Sequence, residues 1–596
     1  MSTPSEAARP GGALRPAALS VAARNLRPIF WAIAVAIGGL HALAGAARQS
    51  MNADGIAYLD MGDAFWRGDW PMAVNAVWSP LYGWVLGLAL RVAQPAPAWE
   101  FRLAHLVNFV IYLGALACFE FFWRQLARYR QGEGRAAQEG VGFPEWAWWA
   151  LGYSLFIWTA LHMVEMWAVT PDMGVAALVY LAAGMLVRIR LEPSRWGHFA
   201  LLGAVLGLGY LAKAVMFPLA FVFAAAAVVA AGSPRRAAPL LLVTLAAFLL
   251  VAGPFIGALS AAKGRLTFGE TGKLTYAWFV DGVPYPHWQG ETPGAGAPRH
   301  PTRQILASPP LYAFDGPVGG TYPVAYDPSY WYEGVAPFFD LRGQIRSLVA
   351  NGQYYFDLLA LRQGGLLACV VVLGLMGTRA LRAPHLRLAW SLALPATAAF
   401  GMYALVYAED RYLGPFMLLL WAAALCVIRL PHGQEAQRLL ARGSAVMLLF
   451  MGLSIAAFNL EGLDALVLRR LVGEPTVSRA RSLGAPQAVD RGTPPEVAAA
   501  LTEAGLRPGD KVAFLGYSFD ASWARLARVR IIAEMHPYDP TAFWGASPEV
   551  QARVVAAFAN AGARAVVAEP AASAGEAPGW RRLGETGYTV LMLTDQ

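Results

Sequence analysis

Apolar runs recur along most of the chain, separated by short polar breaks. They fall near 28–47, 79–94, 101–123, 144–163, 170–188, 197–214, 215–231, 237–260, 364–378, 386–407, 411–430 and 443–460. Runs of roughly 18–25 residues can cross a hydrocarbon core, so the pattern predicts a polytopic α-helical membrane protein. Two stretches break the rhythm. Residues 261–352 form a long connection rich in Gly, Pro and aromatic residues, and that aromatic content predicts an ordered outer loop. After Leu460 the pattern becomes that of a water-soluble unit. Strands are expected at 511–516, 529–535, 564–569 and 588–593, with helices at 494–504 and 547–562, giving a small α/β domain over 461–596.

Arginine clusters at 124–135, 188–195, 235–236, 379–387 and 429–442 lie between apolar runs. The positive-inside rule places them in the cytoplasm, together with an N-terminal segment, 1–27, expected to lack order. Two full spans at 79–94 and 101–123 would leave the first cluster outside. Run 79–94 is short, opens with Ser79-Pro80 and contains Arg91, so it is read as an interfacial or re-entrant helix. About eleven spans remain, forming a transmembrane domain over 28–460 with the C-terminus outside. The Ala-rich end of the first run could mimic a signal-peptide cleavage site, but cleavage would detach the Asp-rich stretch that follows it. Uncleaved, the topology puts residues 51–100, the turn at 164–171, the turn near Lys213, the loop 261–352 and the turn at Glu409–Asp410 on one outer face.

Composition narrows the function classes. Of 596 residues, 57% are hydrophobic and only 14% charged, and the net charge of +8 sits in short Arg clusters rather than on a continuous basic face, which excludes nucleic acid as a partner. Cys118, Cys369 and Cys426 all lie in apolar runs, where no disulfide can staple an extramembrane loop. There is no P-loop, G-x-S-x-G, H-E-x-x-H or zinc-ligand spacing, which argues against soluble nucleotide hydrolysis and metalloproteolysis. Gly516-Tyr517-Ser518 follows a predicted strand without continuing into a Gly-rich phosphate fingerprint, so the α/β unit reads as accessory.

The candidate chemistry gathers at the outer face. The stretch 51–82 carries Asp54, Asp60, Asp63 and Asp69 beside a membrane boundary, where carboxylates lose solvation unless something compensates. Asp54 could act as a general base, hold a divalent cation, or cap a short helix over 55–67. Asp172 opens an apolar run after Pro171, an arrangement common at helix starts, and His162 and Glu165 precede it. Lys213 interrupts an apolar stretch, and Glu409, Asp410 and Arg411 form a polar turn. Lys213 and Arg411 could clamp a phosphate, or could form the ion pairs Asp172–Lys213 and Glu409–Arg411. In the outer loop, Trp278, His287, Trp288, Tyr330, Trp331 and Tyr332 could stack on sugar rings or anchor at the interface.

The order of these pieces resembles a family. Asp54 is followed by Gly68-Asp69-Trp70-Pro71, Ser79-Pro80-Leu81-Tyr82, Thr170-Pro171-Asp172-Met173, Tyr210-Leu211-Ala212-Lys213 and Glu409-Asp410-Arg411-Tyr412-Leu413-Gly414-Pro415. The series is similar to the GT-C superfamily of polyprenyl-phosphate-dependent glycosyltransferases, and within it to the protein O-mannosyltransferase and lipid A aminoarabinose transferase group. The resemblance covers residues 25–430. It implies an inverting transfer of a sugar from a polyprenyl-phosphate donor to a lipid, glycan or protein acceptor at the outer face of a bacterial inner membrane, with about eleven spans and amphipathic helices in the first outer loop. It implies Asp54 as the residue that activates the acceptor. Where the family often has Lys-Pro-Pro-Leu, this chain has Trp78-Ser79-Pro80-Leu81, so Lys213 and Arg411 would have to take over the donor phosphate. The rival readings are a lipid or polysaccharide transporter, for which an internal repeat would be expected and none is seen, and a non-catalytic binder of envelope glycans.

Overall fold

The computed structural model describes residues 16–49, 51–134, 140–377, 383–463, 493–569 and 577–593. The membrane-type part comprises α1 (Pro16–Arg48), α2 (Ala53–Arg67), α3 (Pro80–Ala93), α4 (Pro97–Gly134), α5 (Glu145–Ile157), α6 (Asp172–Leu191), α7 (Trp196–Ala212), α8 (Met216–Ala231) and α9 (Pro234–Lys263). After the outer loop come α10 (Leu341–Phe356), α11 (Gly364–Gly377), α12 (Ala383–Ala404), α13 (Asp410–Val427) and α14 (Gln434–Leu463). Among the described residues, six helices are long and apolar enough to cross a membrane, and a seventh span results if the pair Leu341–Leu361 and Gly364–Gly377, bent by 74°, crosses as one. α3, α7 and α8 are apolar but shorter, so about eleven spans exceeds the number of helices that qualify by length and composition. The expected lack of order over 1–27 lies outside the described residues for 1–15, whereas from Pro16 the backbone is already helical and continues into α1.

Run 79–94 folds as α3, with Ser79 at the N-cap position and Pro80 at the first turn. Its 14 residues rise only about 21 Å, short of a hydrocarbon core. α3 packs instead along α2, and the approach is so close that a Cβ on Gly62 would lie 2.3 Å from the Gly83 carbonyl oxygen. α2 ends at Gly68, whose positive φ of 77° lets its N–H return to the Ala64 and Phe65 carbonyls.

The outer loop and the C-terminal segment, expected to begin as a separate domain at 461, share one sheet. A seven-stranded sheet runs in the order β1-β2-β4-β3-β5-β7-β6. β1 (Arg303–Ala307) and β2 (Pro310–Ala313) belong to the loop; β3 (Lys511–Leu515), β4 (Arg530–Met535), β5 (Ala565–Ala568), β6 (Arg581–Arg582) and β7 (Thr589–Met592) belong to the C-terminal segment. β3 pairs in parallel with β4 and β5, while β2 adds to β4 antiparallel. Period-2 alternation divides the sheet's side chains. Ala513, Leu515, Ile532 and Val566 pack with Val554 and Phe558 of α15 (Pro548–Asn560). Val512, Phe514, Ile531 and Val567 face the other way and share a core with Tyr58, Leu59 and Met61 of α2. The sheet therefore forms a roof over the first outer loop.

A buried arginine fastens that roof. Arg525, its side chain 4% exposed, places Nη1 2.7 Å from Asp60, Nη2 2.6 Å from Asp63 and Nε 2.6 Å from Glu100. Arg528 adds a 2.5 Å contact to the second Glu100 oxygen. Burial alone would lower the Arg525 pKa, but Glu100, Asp60 and Asp63 more than offset it, so the guanidinium stays charged. Asp60 and Asp63 of the Asp-rich stretch thus serve as anchors for the roof. Replacing Arg525 with Met leaves three carboxylates short of their counter-charge, and unfolding of the detergent-solubilised protein should show a loss of about 3–5 kcal/mol, with earlier proteolysis of the C-terminal unit.

Candidate functional site

Three distant segments converge at one end of the helices. Asn52, just before α2, uses its side-chain oxygen to accept the Val169 N–H at 2.9 Å, tying α2 to the turn at 164–171. That turn packs on α13, where a Cβ on Gly414 would lie 2.8 Å from Val164 Cγ2. α7 stops at Lys213, whose extended backbone (φ −157°, ψ 130°) breaks the apolar stretch before α8 begins. Each functional side chain therefore sits at a helix end, where the backbone leaves room for a polar group.

Asp54, Asp172, Lys213, Glu409 and Arg411 form one cluster. Arg411 Nη1 donates to Asp54 Oδ2 at 3.1 Å and lies 3.8 Å from Asp172 Oδ2, while Arg411 Nε donates to Glu409 at 3.0 Å. Arg411 Nη2 reaches the Tyr412 hydroxyl at 3.2 Å. Lys213 Nζ lies 2.5 Å from Asp172 Oδ1 and 3.8 Å from the centre of the Tyr412 ring. Both ion pairs named as alternatives are thus formed. Asp172 is buried with its side chain 3% exposed, whereas Asp54 keeps 30% exposure. Asp54 is not a cap in this arrangement: its Oδ2 is held by Arg411, and its Oδ1 has no hydrogen bond among the described residues.

Donor capacity remains after these contacts. Three of the five guanidinium N–H groups of Arg411 are engaged by Asp54, Glu409 and Tyr412, and Lys213 uses one of its three. An anion arriving from outside can therefore meet Lys213 and Arg411 without stripping them of their carboxylates. A divalent cation fits less well, because the Arg411 guanidinium already stands between Asp54 and Asp172. Among the described residues no group of three or more His, Cys, Asp or Glu is placed to hold a metal.

The remaining predicted residues lie elsewhere. His162 stacks between Trp158 and Phe458, with ring centroids 6.0 and 3.8 Å away, and packs α14 against the π-helical turn 158–163. Glu165 lies half-buried in the 164–171 turn with a positive φ of 60°. In the outer loop, Trp288, Trp331 and Tyr332 are 2%, 6% and 2% exposed, and their rings pack inside the loop's own core. That corrects their expected role as sugar platforms, since a ring face already covered by protein cannot stack on a ligand. Trp278 sits between Tyr285 and Tyr332, and Tyr330 stacks on His300. His287 is buried, bonded to Thr302 at 2.9 Å and to Glu534 at 2.6 Å, so it links the loop to β4. Tyr412 was missed in sequence, although its place beside Arg411 was a usable signal.

No protein-family model matches the chain, and no curated protein matches it. Among solved structures, the chain is similar to ArnT from Cupriavidus metallidurans in the apo state, at 15% identity over 92% of this chain and 94% of that one, with a TM-score of 0.48. The same protein bound to undecaprenyl phosphate matches at 14% identity over 94% and 97%, with a TM-score of 0.49. The Archaeoglobus fulgidus oligosaccharyltransferase in complex with Zn and sulfate matches at 11% identity over 89% and 68%, with a TM-score of 0.43.

The cluster itself is testable as a unit. Lys213→Met should destabilise the protein by about 3 kcal/mol, because Asp172 is left buried with only the more distant Arg411. Lys213→Met combined with Asp172→Asn should recover roughly 1–2 kcal/mol of that loss in thermal unfolding, the coupling expected of a direct pair.

Proposed function

We propose that the chain is a membrane glycosyltransferase that moves a sugar from a polyprenyl-phosphate donor to an acceptor hydroxyl or amine with inversion at the anomeric carbon. The observation that carries this reading is the open Asp54 carboxylate: one oxygen is fixed by Arg411, and the other is unengaged at the outer edge of a cluster that retains spare N–H donors. Its support is that four residues singled out by the motif series, Asp54, Asp172, Lys213 and Arg411, lie together although they are separated by hundreds of positions.

The reaction follows from these roles. Asp54 Oδ1 accepts the acceptor's proton as the acceptor oxygen or nitrogen bonds to the anomeric carbon. The bond from that carbon to the phosphate oxygen breaks, and its electron pair leaves with the phosphate. Because the leaving group is already a stable anion, neutralisation by Lys213 and Arg411 matters more than proton donation to it. A single in-line displacement inverts the anomeric centre. Asp172 holds Lys213 and faces Arg411, so it acts as a positioning residue. The proposed setting is the outer face of a bacterial inner membrane, with the α/β roof on the same side.

Asp54→Asn should lower turnover of a polyprenyl-phosphate sugar by about 10²–10⁴-fold in purified, folded protein. Turnover within tenfold of the parent would remove Asp54 from the mechanism. Arg411→Lys keeps the charge but loses the fork that spans Asp54 and Glu409, and should lower kcat by about 10²-fold.

A further inference from the structure

The α/β roof has a narrow crevice of its own against α2, with Ala53, the neighbour of Asp54 in the chain, in its lining. In the parallel set β4-β3-β5, the chain passes from β3 to β4 and then back across β3 to β5. Ligands in open α/β sheets bind outside the carboxyl ends of the strands where the order reverses in this way. The residues there are Gly516-Tyr517-Ser518 after β3, His536 after β4 and Glu569 after β5, with Glu569 accepting the Tyr517 N–H at 3.3 Å. Just beside them a narrow crevice is lined by Ser518, Phe519 and Tyr322 on one side and by Ala53, Ile56 and Ala57 of α2 on the other. Those α2 residues flank Asp54.

Aromatic rings cross this edge in series. Tyr285 from the outer loop lies 5.4 Å from Phe519, Phe519 lies 5.4 Å from Tyr517, and Tyr517 lies 5.0 Å from Tyr538. Unlike the tryptophans of the loop core, Tyr285 and Tyr517 are 45% and 41% exposed. Burial nonetheless pushes both phenols up, and for Tyr285 the carboxylate of Asp54 adds to the shift. Both rings thus keep open faces at this edge. Three polar atoms close to it are buried without a hydrogen-bond partner: Ser518 Oγ, His536 Nδ1 and Glu534 Oε2. Burial, followed by the proximity of His287, lowers the His536 pKa and keeps that ring neutral at pH 7. Flat exposed aromatics beside neutral and acidic hydrogen-bonding atoms suit a ring with apolar C–H faces and equatorial hydroxyls.

We infer that Tyr285 and Tyr517 form an acceptor shelf, on which a pyranose ring of a carbohydrate acceptor stacks while its hydroxyls reach Ser518 and His536, presenting it to Asp54. This rests on the proposed transferase function for its purpose, but the binding can be measured without turnover. Saturation-transfer NMR on the full chain in nanodiscs, with millimolar methyl pyranosides of glucose, galactose, mannose and N-acetylglucosamine, should give a signal for at least one glycoside. The combined Tyr285→Ala and Tyr517→Ala variant should weaken that signal about tenfold, and the corresponding Phe variants should retain it. The signal is read without donor and without turnover, which separates failure of the shelf from failure of the catalytic reading. In turnover, the double Ala variant should raise the acceptor KM and leave the donor KM unchanged. Absence of signal for every glycoside, an unchanged signal in the double Ala variant, or a rise in the donor KM alone would overturn the assignment.

Discussion

A guanidinium withdrawn from water must be met by carboxylates, and α2 is held between two that are. Arg411, from the helical domain, grips Asp54 at its first turn; Arg525, from the roof, grips Asp60 and Asp63 further along. Both are planar forks, which span several acceptors at once in a way a lysine cannot. Such contacts stabilise only as complete sets, because losing one partner strands a buried charge. The position of α2, and with it the Asp54 carboxylate, thus depends on both domains being in place.

This constraint explains the division of the extramembrane parts. The outer loop lends two strands to a sheet whose other strands lie far along the chain, and its tryptophans are spent on the core that makes this possible. His287 and Tyr322 complete the seam by donating to Glu534 on β4, each at 2.6 Å. What the roof leaves open is its carboxyl edge, on the side of α2.

Much of this was legible in sequence. The helical membrane character, the short α3, the strands of the α/β unit and the grouping of Asp54, Asp172, Lys213 and Arg411 on one face all follow from apolar run length, Arg placement and motif order. The reach of the loop was not legible, because β1 and β2 form a short local hairpin and join the sheet only through β2, whose partner β4 lies more than two hundred positions away. The same distance hid Arg525, which reads as one charge in a short helix and becomes an anchor only when Asp60, Asp63 and Glu100 surround it. Aromatic content in the loop indicated order, but composition does not tell a ring that fills a core from one that stays exposed; Trp288 and Tyr285, three residues apart, are buried and exposed respectively.

The central claim is that a donor phosphate is received by the spare N–H groups of Lys213 and Arg411 beside an open Asp54. A cryo-EM map of the full chain in nanodiscs with bound polyprenyl phosphate tests it directly. The account predicts phosphate density within about 3.5 Å of Lys213 Nζ and the Arg411 guanidinium, with Asp54 still held by Arg411. Phosphate density on other cations, with Lys213 and Arg411 engaged only by their carboxylates, would contradict it.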